Sequence, residues 1–167
     1  MSEIRSIIDN KTFSYTGLIS VQGLYRSART WLEENGYTPY EKHQSQQIFE
    51  DGLQIYVEMD GEKKLSDYAK IGWETHFTFL KCEEVVVEKE GRKVKMYKGE
   101  VQLRTEVFLI TDYDLSFEQS AFQYFLRVVI DKYVFKSYIY KAEKAIKTDY
   151  KSYELILKSF LNMERFH

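Results

Sequence analysis

Polar and apolar residues along this chain change their period twice. Phe13 and Tyr15 alternate with polar neighbours, which predicts a short strand over Lys11–Thr16. Val21, Leu24, Tyr25, Ala28, Trp31 and Leu32 then recur at helical spacing, with Gln22, Arg26, Arg29 and Glu33 falling elsewhere. Ser20 is placed to cap that helix and Asn35-Gly36 to stop it, and Pro39 blocks its continuation. From Tyr40 to Tyr113 the period falls close to two. Leu53, Ile55, Val57 and Met59 alternate with polar positions up to Asp60-Gly61, a hairpin signal. Ala69, Ile71, Trp73, Thr75, Phe77 and Phe79 line one face of a strand over Ser66–Lys81, and Tyr68, Lys70, Gly72, Glu74, His76 and Thr78 line the other. Val85–Glu88 and Lys93–Lys98 flank a second hairpin signal at Glu90-Gly91, and Lys98-Gly99 suits a bend or bulge. Val101, Leu103, Thr105, Val107 and Leu109 continue the alternation. The pattern predicts an antiparallel meander with one apolar and one polar face.

Ser116-Phe117-Glu118-Gln119 fits a capping box, Ser at the N-cap and Gln three residues on. A long helix is expected from Phe117 to Lys147, with an apolar stripe wide enough to be covered on more than one side. Lys147-Thr148-Asp149 reads as a break, with Asp149 capping a last helix through Met163 whose face is Tyr153, Ile156, Leu157, Phe160 and Leu161. Strands and helices are thus segregated along the chain, which is the α+β class: a curved antiparallel meander packed on a long C-terminal helix, with an additional terminal helix. The 167 residues hold no Gly/Ser-rich linker and no repeat, so residues 1–167 read as a single domain, with 149–163 as an extra packing or dimerisation helix.

Composition adds three constraints. Charged residues are 30% and the formal net charge is −2, which excludes a strongly basic nucleic-acid binder by bulk charge. The helical end is mildly basic and rich in tyrosine, a weak match to single-strand stacking for which tyrosine packing is the simpler account. The single cysteine, Cys82, allows no intrachain disulfide and reads as a small buried hydrophobe; with three histidines it makes no Cys-rich zinc site. No leader-like or membrane-spanning apolar window is present, so a cytoplasmic protein without a transmembrane segment is expected. Aromatic residues reach 16%, including 14 tyrosines, an excess that suits a core, a pocket wall or an interface.

Candidate chemistry is sparse. Glu74 and His76 share a strand face, so a carboxylate could orient an imidazole base, although a cross-strand polar pair on a solvated sheet face is the simpler account. Arg104 and Glu106 repeat the spacing and read as a surface ion-pair array. Arg92, Lys93, Lys95 and Lys98 surround the second hairpin but are interleaved with glutamates. No phosphate loop, nucleophile elbow or H-E-x-x-H helix occurs, and no catalytic residue, metal or cofactor is assigned.

The order strand, helix, long antiparallel meander, long helix over Lys11–Lys147 resembles the START-like superfamily of helix-grip folds, the group of polyketide cyclases and pollen-allergen-type lipid binders. The resemblance rests on element order. It implies a curved sheet around the C-terminal helix with an apolar cavity between them. The resulting expectation is a non-catalytic binding protein for a small hydrophobic or lipid-like ligand. Its site would combine Trp73, Phe77, Leu103 and Val107 on the sheet with Phe125, Val129 and Tyr133 on the helix. The alternative is a protein-interaction module with an aromatic-rich helical surface, forming a homodimer through the last helix, where Lys151, Lys158 and Arg165 flank the apolar face. An enzyme in the same cavity would need Glu74 or His76 to face inward.

Overall fold

The computed structural model describes residues 3–111, 121–130, 132 and 136–164. Five strands form one antiparallel sheet: β1 (Glu3–Ile19), β2 (Thr38–Phe49), β3 (Gly52–Lys64), β4 (Ala69–Lys89) and β5 (Arg92–Thr111), in the order β1-β5-β4-β3-β2. Among the described residues three helical segments accompany it: α1 (Val21–Glu34), α2 (Ala121–Ile130) and α3 (Lys136–Glu164). The α+β class read from the sequence is the class observed.

Helix α1 begins and ends where its local chemistry requires. Ser20 Oγ accepts the Gly23 N–H at 3.1 Å, satisfying one of the free donors of the first turn. At the other end Gly36 takes φ +84°, and the Tyr37 N–H returns to the Leu32 carbonyl at 2.9 Å. The Glu90-Gly91 hairpin is present, with φ of +50° and +75° at its two turn residues.

The structure corrects four boundaries. First, β1 spans Glu3–Ile19 rather than Lys11–Thr16; register shifts between Ser6 and Lys11 scramble the alternation that would have revealed it. Second, Asp60-Gly61 is not a turn. Strand β3 runs through it, because β2 and β4 both pair with it there and Gly61 leaves room for Leu32 and Tyr37, whose atoms would lie 3.6 Å and 3.7 Å from a Cβ. The turn falls at Leu65–Tyr68, where Ser66 Oγ accepts the Ala69 N–H at 3.0 Å. Third, the bulge foreseen near Lys98-Gly99 belongs to the neighbouring strand: β4 shifts register between Leu80 and Glu83, with Lys81 at φ +53°. Gly99 on β5 and Gly52 on β3 flank it, and a Cβ on either would sit 2.8 Å from β4 backbone.

The fourth correction concerns the helices. No break occurs at Lys147-Thr148-Asp149. Thr148 Oγ1 donates to the Lys144 carbonyl at 3.0 Å, and the Asp149 carboxylate accepts from Tyr37 Oη at 3.0 Å instead of capping a new helix. Of the expected Phe117–Lys147 helix, the described residues give α2 over Ala121–Ile130 and the beginning of α3 from Lys136. The capping box at Ser116–Gln119 lies outside the described residues.

The helix that closes the inner face of the sheet is therefore α3. Ala142, Ile146, Tyr150, Tyr153, Leu157 and Leu161 recur at three- and four-residue spacing and are all buried. The segment read as an accessory helix is thus the centre of the core. Trp31 from α1, Tyr37, Trp73 from β4 and Tyr153 from α3 form an aromatic box, with Trp73 centred 5.3 Å from Trp31 and 5.1 Å from both Tyr37 and Tyr153. Each such pair contributes about 0.5–1.5 kcal/mol beyond the area it buries. Two of the box's polar tips are satisfied across elements, Tyr153 Oη with Thr75 Oγ1 at 2.8 Å and Trp31 Nε1 donating to Ser152 Oγ at 3.2 Å, while Trp73 Nε1 is buried without a hydrogen-bond partner.

Two outcomes follow. Tyr153→Phe strands the buried Thr75 hydroxyl and should cost about 1–2 kcal/mol in urea unfolding. Gly99→Ala forces the β4 bulge to move and should cost about 1–3 kcal/mol in the same measurement, with unchanged far-ultraviolet circular dichroism.

Candidate functional site

The sheet positions singled out from the sequence lie where the alternation puts them. Trp73, Phe77, Leu103 and Val107 are all fully buried on the inner face. Their helical partners are not the expected ones. Phe125 and Val129 stand 62% and 37% exposed on α2, with Phe122 and Val128 also exposed, and Tyr133 lies outside the described residues. Trp73 meets Trp31 and Tyr153, and Phe77 meets Tyr25 and Phe79, so these sheet residues are occupied by core packing from α1, α3 and their own strand.

Concave space exists beside this core, between α1 and the β2–β3 side of the sheet. A groove of about 450 Å³ is lined by Val21, Gln22, Tyr25, Arg26, Arg29, Glu41, Gln44 and Val57. The helical period of α1 sends Val21 and Tyr25 to its floor and Gln22, Arg26 and Arg29 to its rim. Burial and then the nearby Glu41 carboxylate push the Tyr25 phenol up, while Arg29 opposes them. Arg29 is engaged by Glu33 at 3.1 Å; Arg26 has no ion-pair partner among the described residues. Sequence reading passed over this site because β2 carries no apolar periodicity: its residues are exposed from Tyr40 to Phe49.

The outer face holds a second constellation. Glu58 on β3 lies directly across from His76 on β4, and Asp60 directly across from Glu74. On the far side of β4, Glu106 stands opposite Glu74 and Arg104 opposite His76. A bulge in β2 between Glu41 and His43 brings both Lys42 and His43 to this face. There Lys42 Nζ lies 3.2 Å from Glu58 and 3.5 Å from Asp60, and the His43 ring is centred 5.9 Å from Tyr56. Tyr56 Oη is 2.5 Å from His76 Nδ1, and His76 Nε2 is 3.9 Å from Glu74 Oε2.

The Glu74–His76 pair foreseen from the sequence is present, faces away from the apolar core and is half-buried, with 31% of the Glu74 side chain exposed. Side-chain exposure is 11% for His76, 15% for Glu58 and 8% for Asp60. Burial pushes the Asp60 and Glu74 carboxyls above their usual range; neighbouring carboxylates reinforce this and Lys42 opposes it. Arg104 and Glu106, read as a surface ion-pair array, stand on the ladder opposite His76 and Glu74. The hairpin cations remain as read, with Lys95 paired to Glu84 at 2.9 Å. Cys82 is buried, and burial holds its thiol up, against a nucleophilic role.

No family model and no curated protein matches the chain. Among solved structures, an uncharacterized protein from Rhizobium leguminosarum is similar at 10% identity over 95% of this chain and 99% of that chain, with a TM-score of 0.23. A likeness at that level carries no argument about fold or function. Among the described residues no helix is long and apolar enough to cross a membrane.

Lys42 is the cation that touches both Glu58 and Asp60. Lys42→Met should lower the melting temperature, and Asp60→Asn in the same chain should recover part of the loss. A double-mutant cycle by thermal unfolding measures that coupling.

Proposed function

We propose that this chain is a non-catalytic binding protein of the helix-grip type that takes a small amphipathic ligand, an apolar body carrying an acidic group. The observation that carries the reading is the α1–β2 groove. Its volume of about 450 Å³ falls in the range of small-molecule sites, its floor is Val21, Val57 and the Tyr25 ring, and the unpaired Arg26 stands on its rim. An apolar chain would displace water from the floor while a carboxylate accepted hydrogen bonds from Arg26. Element order and the grip of α3 by the sheet support the helix-grip assignment, with the ligand beside the helix-covered core rather than between Trp73 and the C-terminal helix.

Native mass spectrometry of protein purified without detergent, followed by titration with dodecanoate and dodecanol, tests this. Dodecanoate is expected to bind more tightly than dodecanol. Gln22→Trp, which fills the groove from its exposed rim, should abolish both. Arg26→Gln should weaken dodecanoate by about tenfold, the worth of one charge-assisted hydrogen bond, and leave dodecanol unchanged. Absence of saturable binding by either molecule would overturn the reading.

A second reading, an assembly module, is favoured by one observation: Phe122, Phe125 and Val129 recur at i, i+3 and i+7 on α2 and are exposed. Its occupant would be a second copy of the chain. Sedimentation of the wild type and of Phe125→Glu separates the two readings. A concentration-dependent dimer lost in the variant favours assembly, and a strict monomer removes it.

A further inference from the structure

The groove reading leaves the outer face of the sheet without a role. We propose that Glu58, Glu74 and His76 form a binding site for a divalent transition-metal ion, with Tyr56 as the residue that positions the imidazole. The three side chains come from adjacent strands in register, and their ligand atoms all lie within 4.8 Å of one another. That separation lets one ion at the usual 2.0–2.2 Å bond lengths reach all three after small rotamer adjustments.

Two buried atoms point to a missing partner. His76 Nε2 is shielded from solvent and has no hydrogen-bond partner, yet it faces the Glu74 carboxylate. Asp60, with 8% of its side chain exposed, lies directly across the ladder from Glu74, and its Oδ1 is likewise buried without a partner. Buried polar atoms are almost always satisfied, so two orphans in one cluster call for an explanation. The carboxylates of Glu58, Asp60 and Glu74 meet here with Glu106 opposite Glu74, against two cations: Lys42, which contacts Glu58 and Asp60, and Arg104, which stands opposite His76. A divalent ion would supply the remaining positive charge and engage the Nε2 lone pair.

The other ring nitrogen is already oriented. Tyr56 Oη lies 2.5 Å from Nδ1, and in the tautomer with hydrogen on Nδ1 it accepts the Nδ1–H hydrogen bond, leaving the Nε2 lone pair free for a metal. An imidazole with two carboxylates suits zinc, manganese, cobalt or nickel better than magnesium or calcium, which favour all-oxygen shells. Lys42 Nζ holds Glu58 at 3.2 Å, but its side chain is 53% exposed on the edge strand and can swing aside. It therefore competes with the ion for Glu58.

The test uses the full chain, stripped with a chelator and titrated with zinc chloride by calorimetry, with calcium chloride as comparator. The wild type should take up one zinc ion per chain, bind calcium at least about tenfold more weakly, and melt higher with zinc. His76→Gln and Glu58→Gln should each weaken zinc binding by about a hundredfold, and Tyr56→Phe by about tenfold. Lys42→Gln should tighten it several-fold, a gain that a damaged fold would not produce. His43→Gln and the groove variant Gln22→Trp should bind zinc as the wild type does. The absence of saturable zinc uptake would overturn the proposal. So would uptake that survives His76→Gln in a chain with unchanged circular dichroism, or uptake that is lost with His43→Gln.

Discussion

The fold depends on one indole. Trp73 sits on β4, a central strand of the sheet, and is touched by rings from α1, from the α1–β2 connection and from α3. The rings around Trp73 meet it tilted or edge to face, and Trp31 stacks on Tyr37, arrangements that their charge distribution favours. The hydrogen bonds of Tyr37 to Asp149, Trp31 to Ser152 and Tyr153 to Thr75 set the rotation and height of α3 on the sheet, since each has a partner only in one register. Aromatic excess here serves as the joint between helices and sheet, and tyrosine is well suited to it because its tip can be satisfied where its ring is buried.

That joint separates two chemistries. On the inner face the strands present Ile71, Trp73, Phe77, Leu103 and Val107 to the helices, and no charged group is needed. On the outer face the same strands present glutamates, an aspartate, a histidine and a tyrosine at positions one residue away. The pleat enforces this: a side chain next to a core residue in a strand points the opposite way. Rigid packing below therefore fixes the spacing of polar groups above, which suits a site whose ligand atoms must hold their places. The groove is different in kind. It forms between α1 and the β2–β3 side of the sheet, bordered by β2, whose side chains are nearly all exposed.

Much of this was legible from residue spacing. Alternation identified both faces of β4 and β5, the cap and stop of α1 were read at Ser20 and Asn35-Gly36, and the Glu74–His76 pair was visible two residues apart. These signals are local: a period of two or 3.6, or a side chain that reaches its own backbone, requires no knowledge of the rest of the chain. Asp60-Gly61 has the chemistry of a hairpin turn, yet pairing on both sides with β2 and β4 keeps it extended. Neighbouring strands overrode a local preference there.

What the sequence determined by itself, then, is the α+β class, the apolar and polar faces of the sheet, and the limits of the first helix. The tertiary structure decided which helix covers the sheet, because α2 and α3 both carry wide apolar stripes and only the rings of Trp31, Tyr37 and Trp73 select Tyr153 over Phe125. It also decided that Glu58 joins Glu74 and His76, and that Lys42 leans over them, since strand register and a bulge are set by pairing between segments far apart in the chain.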